Sequence, residues 1–187
     1  MSQKTGSTPA GRRILAAAAE LFYAHGINAV GVATIADEAK VTKKTLYDCF
    51  GSKDGIVVAY LTQRHQDWRD VLEARLATDE PSPLMVFDSY FDHLRREPEI
   101  NGCGFINAAA DLPPSHRAMT IIRDHKTEVR YRLDALLPSR YDTASKREST
   151  VTHLFYLLEG ATVEAGLLGS LKPLEASRRL AQAVLTP

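Results

Sequence analysis

A short polar segment in the first third of the chain carries side chains that suit contact with a nucleic acid. It combines lysines, hydroxyl groups and an aromatic ring within six positions: Thr42, Lys43, Lys44, Thr45 and Tyr47. Lysines neutralise backbone phosphates, and lysine and hydroxyl side chains reach base edges in the major groove. An ordinary helical hairpin with a solvated lysine pair has the same spacing, so both interpretations stand at this point.

Two short helices joined by a tight turn would position these side chains. The first has its apolar residues on one helical face, at Val32, Ile35, Ala36 and Ala39. Thr42 is expected to cap the second helix, Lys43–Phe50, which buries Leu46 and Phe50. In a helix-turn-helix, the N-terminal residues of the second helix contact bases, while the first helix crosses the phosphate backbone.

Helical periodicity extends over most of the remaining chain, and no segment has the pattern of a strand. A first helix is predicted from Pro9 to His25, ended by Gly26. A long helix capped by Ser52 carries an apolar stripe that includes His65 and Trp68. Further helices are predicted at about 83–97, 105–111, 115–137, 143–169 and 173–185, with a turn at Asp79–Pro83. The fold class is therefore all-α, with about nine helices.

Composition limits the classes of function. The 187 residues are 44% hydrophobic and 25% charged, as in a globular protein. No apolar run approaches the roughly 18 residues of a membrane span, and the first residues lack the apolar core of a secretory signal. A cytoplasmic location without membrane association is expected. Cys49 and Cys103 have no metal-site spacing, so neither a zinc site nor a disulfide framework is predicted.

The charge distribution is compatible with a nucleic-acid partner. Net charge is zero, but the first 60 residues hold seven Lys or Arg against five acidic residues. These cations cluster at the N-terminus and around the second short helix, where phosphates would lie.

The motifs in this region resemble those of the TetR family of transcriptional regulators. The resemblance rests on Phe22–Gly26, Ile35–Ala39, Val41–Tyr47 and Phe50–Asp54. It implies a three-helix DNA-binding head (1–52) and a helical body for ligand binding and dimerisation (53–187). It also implies that Thr42, Lys43, Lys44, Thr45 and Tyr47 contact operator DNA and that Lys53 contacts a phosphate.

Several positions differ from the family pattern. Val30 and Gly31 stand where hydroxyl residues usually cap the first short helix, so no side-chain cap is expected there. Lys44 replaces a small residue and can add a contact to DNA. Asp48 could accept a hydrogen bond from a cytosine amino group, or it could be held by Lys44 one helical turn earlier.

A sensor body needs an apolar cavity with a few polar groups. Asn107 and His125 are the strongest polar candidates, because both lie in largely apolar stretches, although aromatics at helical spacing also fit an ordinary core. The full set of ligand-binding candidates is Trp68, Phe87, Tyr90, Phe91, Phe105, Asn107, Met119, Ile122, His125, Phe155 and Glu159.

The last two helices are candidates for a homodimer interface made by a four-helix bundle. Gly160, Ala161, Ala165 and Gly166 would permit close approach, and a two-fold axis would require a palindromic operator. The apolar candidates are Leu154, Leu157, Leu158, Ala161, Ala165 and Leu168 on one helix and Leu174, Leu180, Ala183 and Val184 on the other. Alternatively, these helices close the core of a single subunit.

No catalytic, cofactor or metal motif is present in the sequence. Asp111 and Glu159 are isolated acids, and His116 and His125 lack metal-ligand spacing. The leading prediction is a dimeric repressor that binds double-stranded DNA and is released by a small apolar or amphipathic effector. The alternatives are an activator, a regulator without a small-molecule inducer, an all-α enzyme and a helical protein-interaction module.

Overall fold

The computed structural model describes residues 8–78, 80–141 and 143–186. The regular structure in these ranges is entirely helical, which confirms the predicted all-α class. The helices are α1 (Pro9–His25), α2 (Val32–Glu38), α3 (Lys43–Phe50), α4 (Lys53–Leu76), α5 (Leu84–Arg95), α6 (Gly104–Asp111), α7 (Ala118–Ala135), α8 (Ala144–Leu168) and α9 (Lys172–Leu185), with a 3-10 turn at Ser139–Tyr141. Asp79 of the predicted turn, the first seven residues of the predicted 1–52 head and Pro187 lie outside the described residues.

Local capping explains why the helices begin and end where the sequence predicts. The Thr8 hydroxyl accepts the Gly11 amide at 3.0 Å, so it caps α1. Gly26 ends α1 with a φ of 82°, a value that glycine adopts without steric cost, and its amide donates to the Phe22 carbonyl. At the start of α4, the Ser52 hydroxyl accepts the Gly55 amide at 3.0 Å.

The described chain forms two compact units. The first contains residues 8–64 and Gly104–Ile122, and the second contains His65–Cys103 and residues 123–186. The largest fully buried side chains of the first unit include Ile14, Ile35, Leu46 and Ile56. Those of the second unit include Trp68, Leu72, Phe87, Leu94, Leu133, Leu154 and Leu158. The functional boundary after residue 52 stays a prediction.

The structure of α8 and α9 corrects part of the set of residues predicted for a dimer interface. Half of the ten apolar residues chosen from periodicity are buried within the subunit: Leu154, Leu158, Ala161, Ala165 and Leu174. A Cβ atom on Gly166 would lie 2.9 Å from the Gly102 amide nitrogen, so this glycine admits a loop of its own subunit. Of the predicted set, Leu168 and Leu180 are exposed, and the other exposed large apolar side chains of the two helices are Tyr156, Val163 and Leu167.

Across the described ranges, every helix is either too short or too polar to cross a membrane.

Candidate nucleic-acid interface

The start of α3 is shaped by a hydroxyl cap. The Thr42 hydroxyl accepts the Thr45 amide at 3.1 Å, and the two threonine hydroxyl oxygens lie 3.0 Å apart. The cap satisfies an amide that the helix itself leaves without a partner. Thr42, Lys43 and Lys44 are exposed and Thr45 is half-buried, so the polar segment predicted from the sequence forms one accessible surface.

The turn between α2 and α3 is held by backbone contacts that the motif does not reveal. Lys40 adopts a φ of 53°, a left-handed conformation that is uncommon for a residue with a side chain. The Val41 amide donates to the Ala36 carbonyl at 3.0 Å, and Arg13 of α1 donates to the Ala39 carbonyl at 3.2 Å. Helix α2 begins at Gly31 without a side-chain cap, as predicted.

An ion pair occupies the exposed face of α3. Lys44 Nζ lies 2.7 Å from Asp48 Oδ2, with the two side chains 83% and 61% exposed. The hydrogen bond to Asp48 and the negative charge of this carboxylate raise the pKa of Lys44 above its ordinary value. Asp48 is therefore held by Lys44, which is one of the two predicted roles, and base reading by Asp48 stays a prediction.

Neighbouring side chains on α3 have opposite environments. Leu46 is fully buried, as predicted, whereas Tyr47 is 45% exposed. Phe50 was predicted to be buried with Leu46 but is only half-buried, because it is the last residue of the helix and is followed directly by the exposed Gly51. Lys53 is half-buried in the first turn of α4.

The end of α6 anchors the loop between α1 and α2. The Asp111 carboxylate accepts the Ile27 amide at 2.6 Å and the Asn28 amide at 3.4 Å. The Asn28 side chain donates in return to the Asp111 carbonyl at 2.7 Å. The sequence marked Asp111 only as an isolated acid, because no local pattern links positions 84 residues apart. Its role is to position the loop that leads into the helix-turn-helix.

Comparison with known proteins identifies this arrangement. A model of bacterial regulatory proteins of the tetR family matches residues 14–60. The structure resembles that of a TetR-family transcriptional regulator from Streptomyces coelicolor at a TM-score of 0.81 and 31% sequence identity, with 94% of each chain covered. This chain belongs to the TetR family. It is a transcriptional regulator with a DNA-binding helix-turn-helix, and it is not an enzyme.

More distant relatives share the fold of this TetR-family chain. A TetR transcriptional regulator from Legionella pneumophila has 22% identity and a TM-score of 0.77, with coverage of 93% of this chain and 96% of that one. The regulatory protein TetR from Rhodobacter sphaeroides has 20% identity and a TM-score of 0.75, with coverage of 95% and 99%. No curated protein sequence matches the chain.

Three of the predicted ligand-binding residues of this TetR-family regulator meet in the second compact unit. The Tyr90 hydroxyl lies 2.8 Å from His125 Nε2, and the Trp68 ring stands edge-on to the His125 ring with centroids 4.9 Å apart. The indole N–H of Trp68 donates to Ser89 at 3.1 Å. His65 Nδ1 lies 3.0 Å from His125 Nδ1, a contact that the sequence did not predict.

Other predicted ligand-binding residues of the second unit have separate partners. Phe87 and Phe91 line a cleft of about 140 Å³ with Leu174 and Arg178. Phe155 lies beneath the Arg130 guanidinium, 3.8 Å from the ring centroid.

Glu159 pairs with Lys126 at 2.7 Å, and Lys126 Nζ also lies 3.4 Å from Cys103 Sγ. Burial opposes the charge on Lys126, but Tyr90, Cys103 and Glu159 together raise the pKa of Lys126 above its ordinary value.

The remaining four predicted ligand-binding residues belong to the first compact unit. Phe105 and Ile122 are buried, and Met119 is half-buried. Asn107 lines a cavity of about 10 Å³ near Phe22 and Tyr60, which is large enough for a water molecule at most. Within the described ranges, no group of three His, Cys, Asp or Glu side chains is placed to hold a metal ion.

Proposed function

We propose that this regulator is a ligand-responsive repressor that binds a palindromic operator as a homodimer and is released by a small apolar or amphipathic effector. In this proposal residues 1–52 bind DNA, and residues 53–187 hold the effector and the dimer interface. The regulator would act in the cytoplasm, where its DNA lies.

The observation that carries the DNA-binding part is the exposed polar surface at the start of α3. Thr42, Lys43 and Lys44 are accessible in a helix whose buried face is held by Leu46. Tyr47 extends this surface by one helical turn, and Lys53 adds a cation at the start of the next helix. Thr45 and Asp48 complete the proposed contact set. Cationic and hydroxyl groups together suit phosphate positioning and base contact.

Exposed apolar side chains on α8 and α9 support a homodimer. Tyr156, Val163 and Leu167 recur at intervals of seven and four residues, which places them on one face of α8. Leu167 is 81% exposed and Leu180 of α9 is 56% exposed. An unpartnered apolar face of this kind is typical of a protein interface. A two-fold arrangement of two such faces would present two copies of α3 to successive half-sites.

An effector site in the second unit is supported by its aromatic residues, because Trp68, Tyr90 and His125 combine apolar rings with polar atoms at one place. Such a combination is common in small-molecule sites. Release from DNA requires the effector to bind one conformation of the regulator more tightly than the other. An activator, or a regulator without a small-molecule inducer, remains the second candidate, since the same α3 surface would serve it equally.

The DNA-binding part is tested with the DNA upstream of the regulator's own gene in a mobility-shift titration at several salt concentrations. The wild type is expected to bind at low salt and to weaken as salt increases. The double variant Lys44→Ala/Tyr47→Ala is expected to lose binding. A matched control is Lys172→Ala/Tyr131→Ala, which removes the same residue types from exposed positions of the second unit.

Failure of the wild type to bind at low salt would argue against an autoregulatory repressor. Equal binding by Lys44→Ala/Tyr47→Ala and by the control would argue against the α3 surface as the contact site.

The homodimer is tested by sedimentation. Leu167→Glu/Leu180→Glu is expected to shift the regulator to a monomer, because charge on an apolar interface is costly to desolvate. Tyr131→Glu places the same charge at a side chain of α7 that is 64% exposed, and it should leave the dimer intact. A wild type that sediments as a monomer at micromolar concentration would remove the dimer from the proposal.

A further inference from the structure

Two histidines of the second unit are hydrogen-bonded to each other. His65 of α4 and His125 of α7 face each other through their Nδ1 atoms at 3.0 Å, with the rings perpendicular at 89°. His125 Nε2 lies 2.8 Å from the Tyr90 hydroxyl on α5. His65 Nε2 lies 3.5 Å from the Glu128 carboxylate on α7. These contacts form a continuous series that joins helices α4, α7 and α5.

One arrangement of protons in the neutral pair suits these partners. If the nearby Glu128 carboxylate fixes the proton of His65 on Nε2, His65 accepts through Nδ1. His125 would then donate from Nδ1 and accept the Tyr90 hydroxyl proton at Nε2. In this arrangement the two rings are opposite tautomers.

Adding a proton to either histidine would change these hydrogen bonds. At His125 Nε2, a proton would force the Tyr90 hydroxyl to turn from donor to acceptor. Between the two Nδ1 atoms, a second proton would set two N–H groups against each other over 3.0 Å. The first case changes the contact between α7 and α5, and the second changes the contact between α4 and α7.

The surroundings of His65 disfavour its protonated form. Burial lowers the pKa of His65, and nearby Arg69 acts in the same direction, while Glu128 and Asp124 oppose the shift. The Glu128 carboxylate also contacts Arg69 and Arg132, each at 3.3 Å, so its charge is shared among three partners. On the other side of the pair, Lys126 Nζ lies 6.0 Å from the centre of the Tyr90 ring.

We propose that the His65–His125 pair is a proton-binding site through which mildly acidic pH weakens the DNA binding of this regulator. The DNA-binding half of this inference rests on the proposed function, and the proton site does not. In this proposal the neutral pair accompanies the operator-binding conformation, and protonation disfavours that conformation because it changes the contacts of His125 with His65 or Tyr90. His65 lies on α4, the helix that also supplies Lys53.

The fluorescence of Trp68 can report the protonation of this site. Trp68 is the only tryptophan of the chain, and its ring centroid is 4.9 Å from that of His125 and 6.1 Å from that of His65. A protonated imidazole accepts an electron from the excited indole and quenches its fluorescence, whereas a neutral imidazole does so weakly. A pH titration of Trp68 emission in the full-length protein therefore reads the site without DNA.

The expected result is quenching with a midpoint below about 6.5, the ordinary histidine value. His125→Gln should remove most of the titration, whereas His153→Gln, which changes an exposed histidine of α8, should retain it. Circular dichroism at each pH checks that the variants are folded. An identical titration in wild type and His125→Gln, or the absence of a titration above pH 5, would overturn the proton site.

A second measurement uses the wild type alone, so it stands even if the variants do not fold. Long-range ¹H–¹⁵N correlation spectra distinguish the two neutral histidine tautomers. At neutral pH, His65 is expected to carry its proton on Nε2 and His125 on Nδ1. The same tautomer at both positions would contradict the proton assignment and the proposal with it.

The DNA half is tested by affinity for the upstream DNA at pH 7.5 and 5.5. Acid generally strengthens protein–DNA binding as histidines become cationic, so a decrease opposes the general trend. Between pH 7.5 and 5.5, the DNA affinity of the wild type is expected to fall at least about fivefold more than that of His125→Gln. A factor of five is at the low end of common coupling effects. An equal pH response of the two proteins would overturn regulation by this site. Absence of binding at both pH values would overturn the proposed function, while the Trp68 titration would still decide the proton site.

Discussion

Two lysine–carboxylate pairs of this molecule have the same N–O distance but differ in their exposure to solvent. Lys44–Asp48 on α3 and Lys126–Glu159, which joins α7 to α8, both measure 2.7 Å. The first pair is 83% and 61% exposed, and the second is 17% and 19% exposed. In water the attraction between two charges is screened, whereas in a buried site each charge depends on its partner.

Because of this difference, the exposed pair on α3 can change partners, whereas the Lys126–Glu159 pair holds α7 and α8 together. Lys44 can exchange Asp48 for a DNA phosphate or base at little cost to folding, because solvent already surrounds both groups. If Lys126 leaves Glu159, a half-buried carboxylate loses its partner. Glu159, a predicted ligand-binding residue, is thus already engaged by Lys126.

The largest expected effect comes from breaking the less exposed pair. Lys126→Met should lower the free energy of unfolding by about 2 kcal/mol, because it leaves the half-buried Glu159 carboxylate without its partner. Denaturant titration measures the loss. The double variant Lys126→Met/Glu159→Leu should recover much of it, since removing both charges removes the unpaired group. A loss no greater in Lys126→Met than in the double variant would show that the pair is not coupled.

Removal of the α3 cap should have a smaller effect. Thr42→Ala should lower stability by about 1 kcal/mol, because the Thr45 amide loses the hydroxyl that caps it at 3.1 Å. Thr42→Ser keeps the hydroxyl and serves as the control. If the alanine variant melts at the same temperature as the serine variant, the hydroxyl does not stabilise the helix.

The buried histidines should make stability depend on pH in the acidic range. Burial lowers the pKa of His65 in the folded chain, so the unfolded chain binds a proton more readily. Stability is therefore expected to fall as pH decreases below about 6.5, the pKa of the unfolded residue, until the folded pKa is reached. Thermal melts of wild type and His65→Gln between pH 7.5 and 5 measure the difference, and His65→Gln should lose less stability. A parallel decline in both proteins would exclude His65 as the cause.

The smallest expected effect on folding comes from the exposed pair. Lys44→Met should leave the thermal midpoint unchanged, since Lys44 and Asp48 are both solvated, yet it should weaken DNA binding. A melt and a mobility shift on the same preparation separate the two properties. A marked loss of stability in Lys44→Met would show that the comparison between the exposed and buried pairs is wrong.

The sequence was sufficient to predict the parts of the molecule that depend on near neighbours. Helix α3 begins and ends as predicted because Thr42, three residues before its amide partner, caps it and Gly51 ends it. The Lys44–Asp48 pair spans one helical turn, so the sequence alone suggested this pairing as one of two roles for Asp48. The whole-chain match, with 94% coverage, confirms the family that the motif predicted.

Periodicity could not assign the faces of α8. Apolar residues surround this helix, and their spacing does not say which of them meet the helix's own subunit. Leu154 and Leu158 are buried within the subunit, whereas Tyr156 and Leu167 are exposed.

Only the tertiary structure brought together His65 with His125, and Asp111 with Ile27, because these contacts join positions 60 and 84 residues apart. Local spacing determines a cap or a helical face, since those depend on residues within a turn or two. Partners that are distant along the chain are selected by packing, and that selection decided where the buried histidines, the Asp111 anchor and the Lys126–Glu159 pair lie.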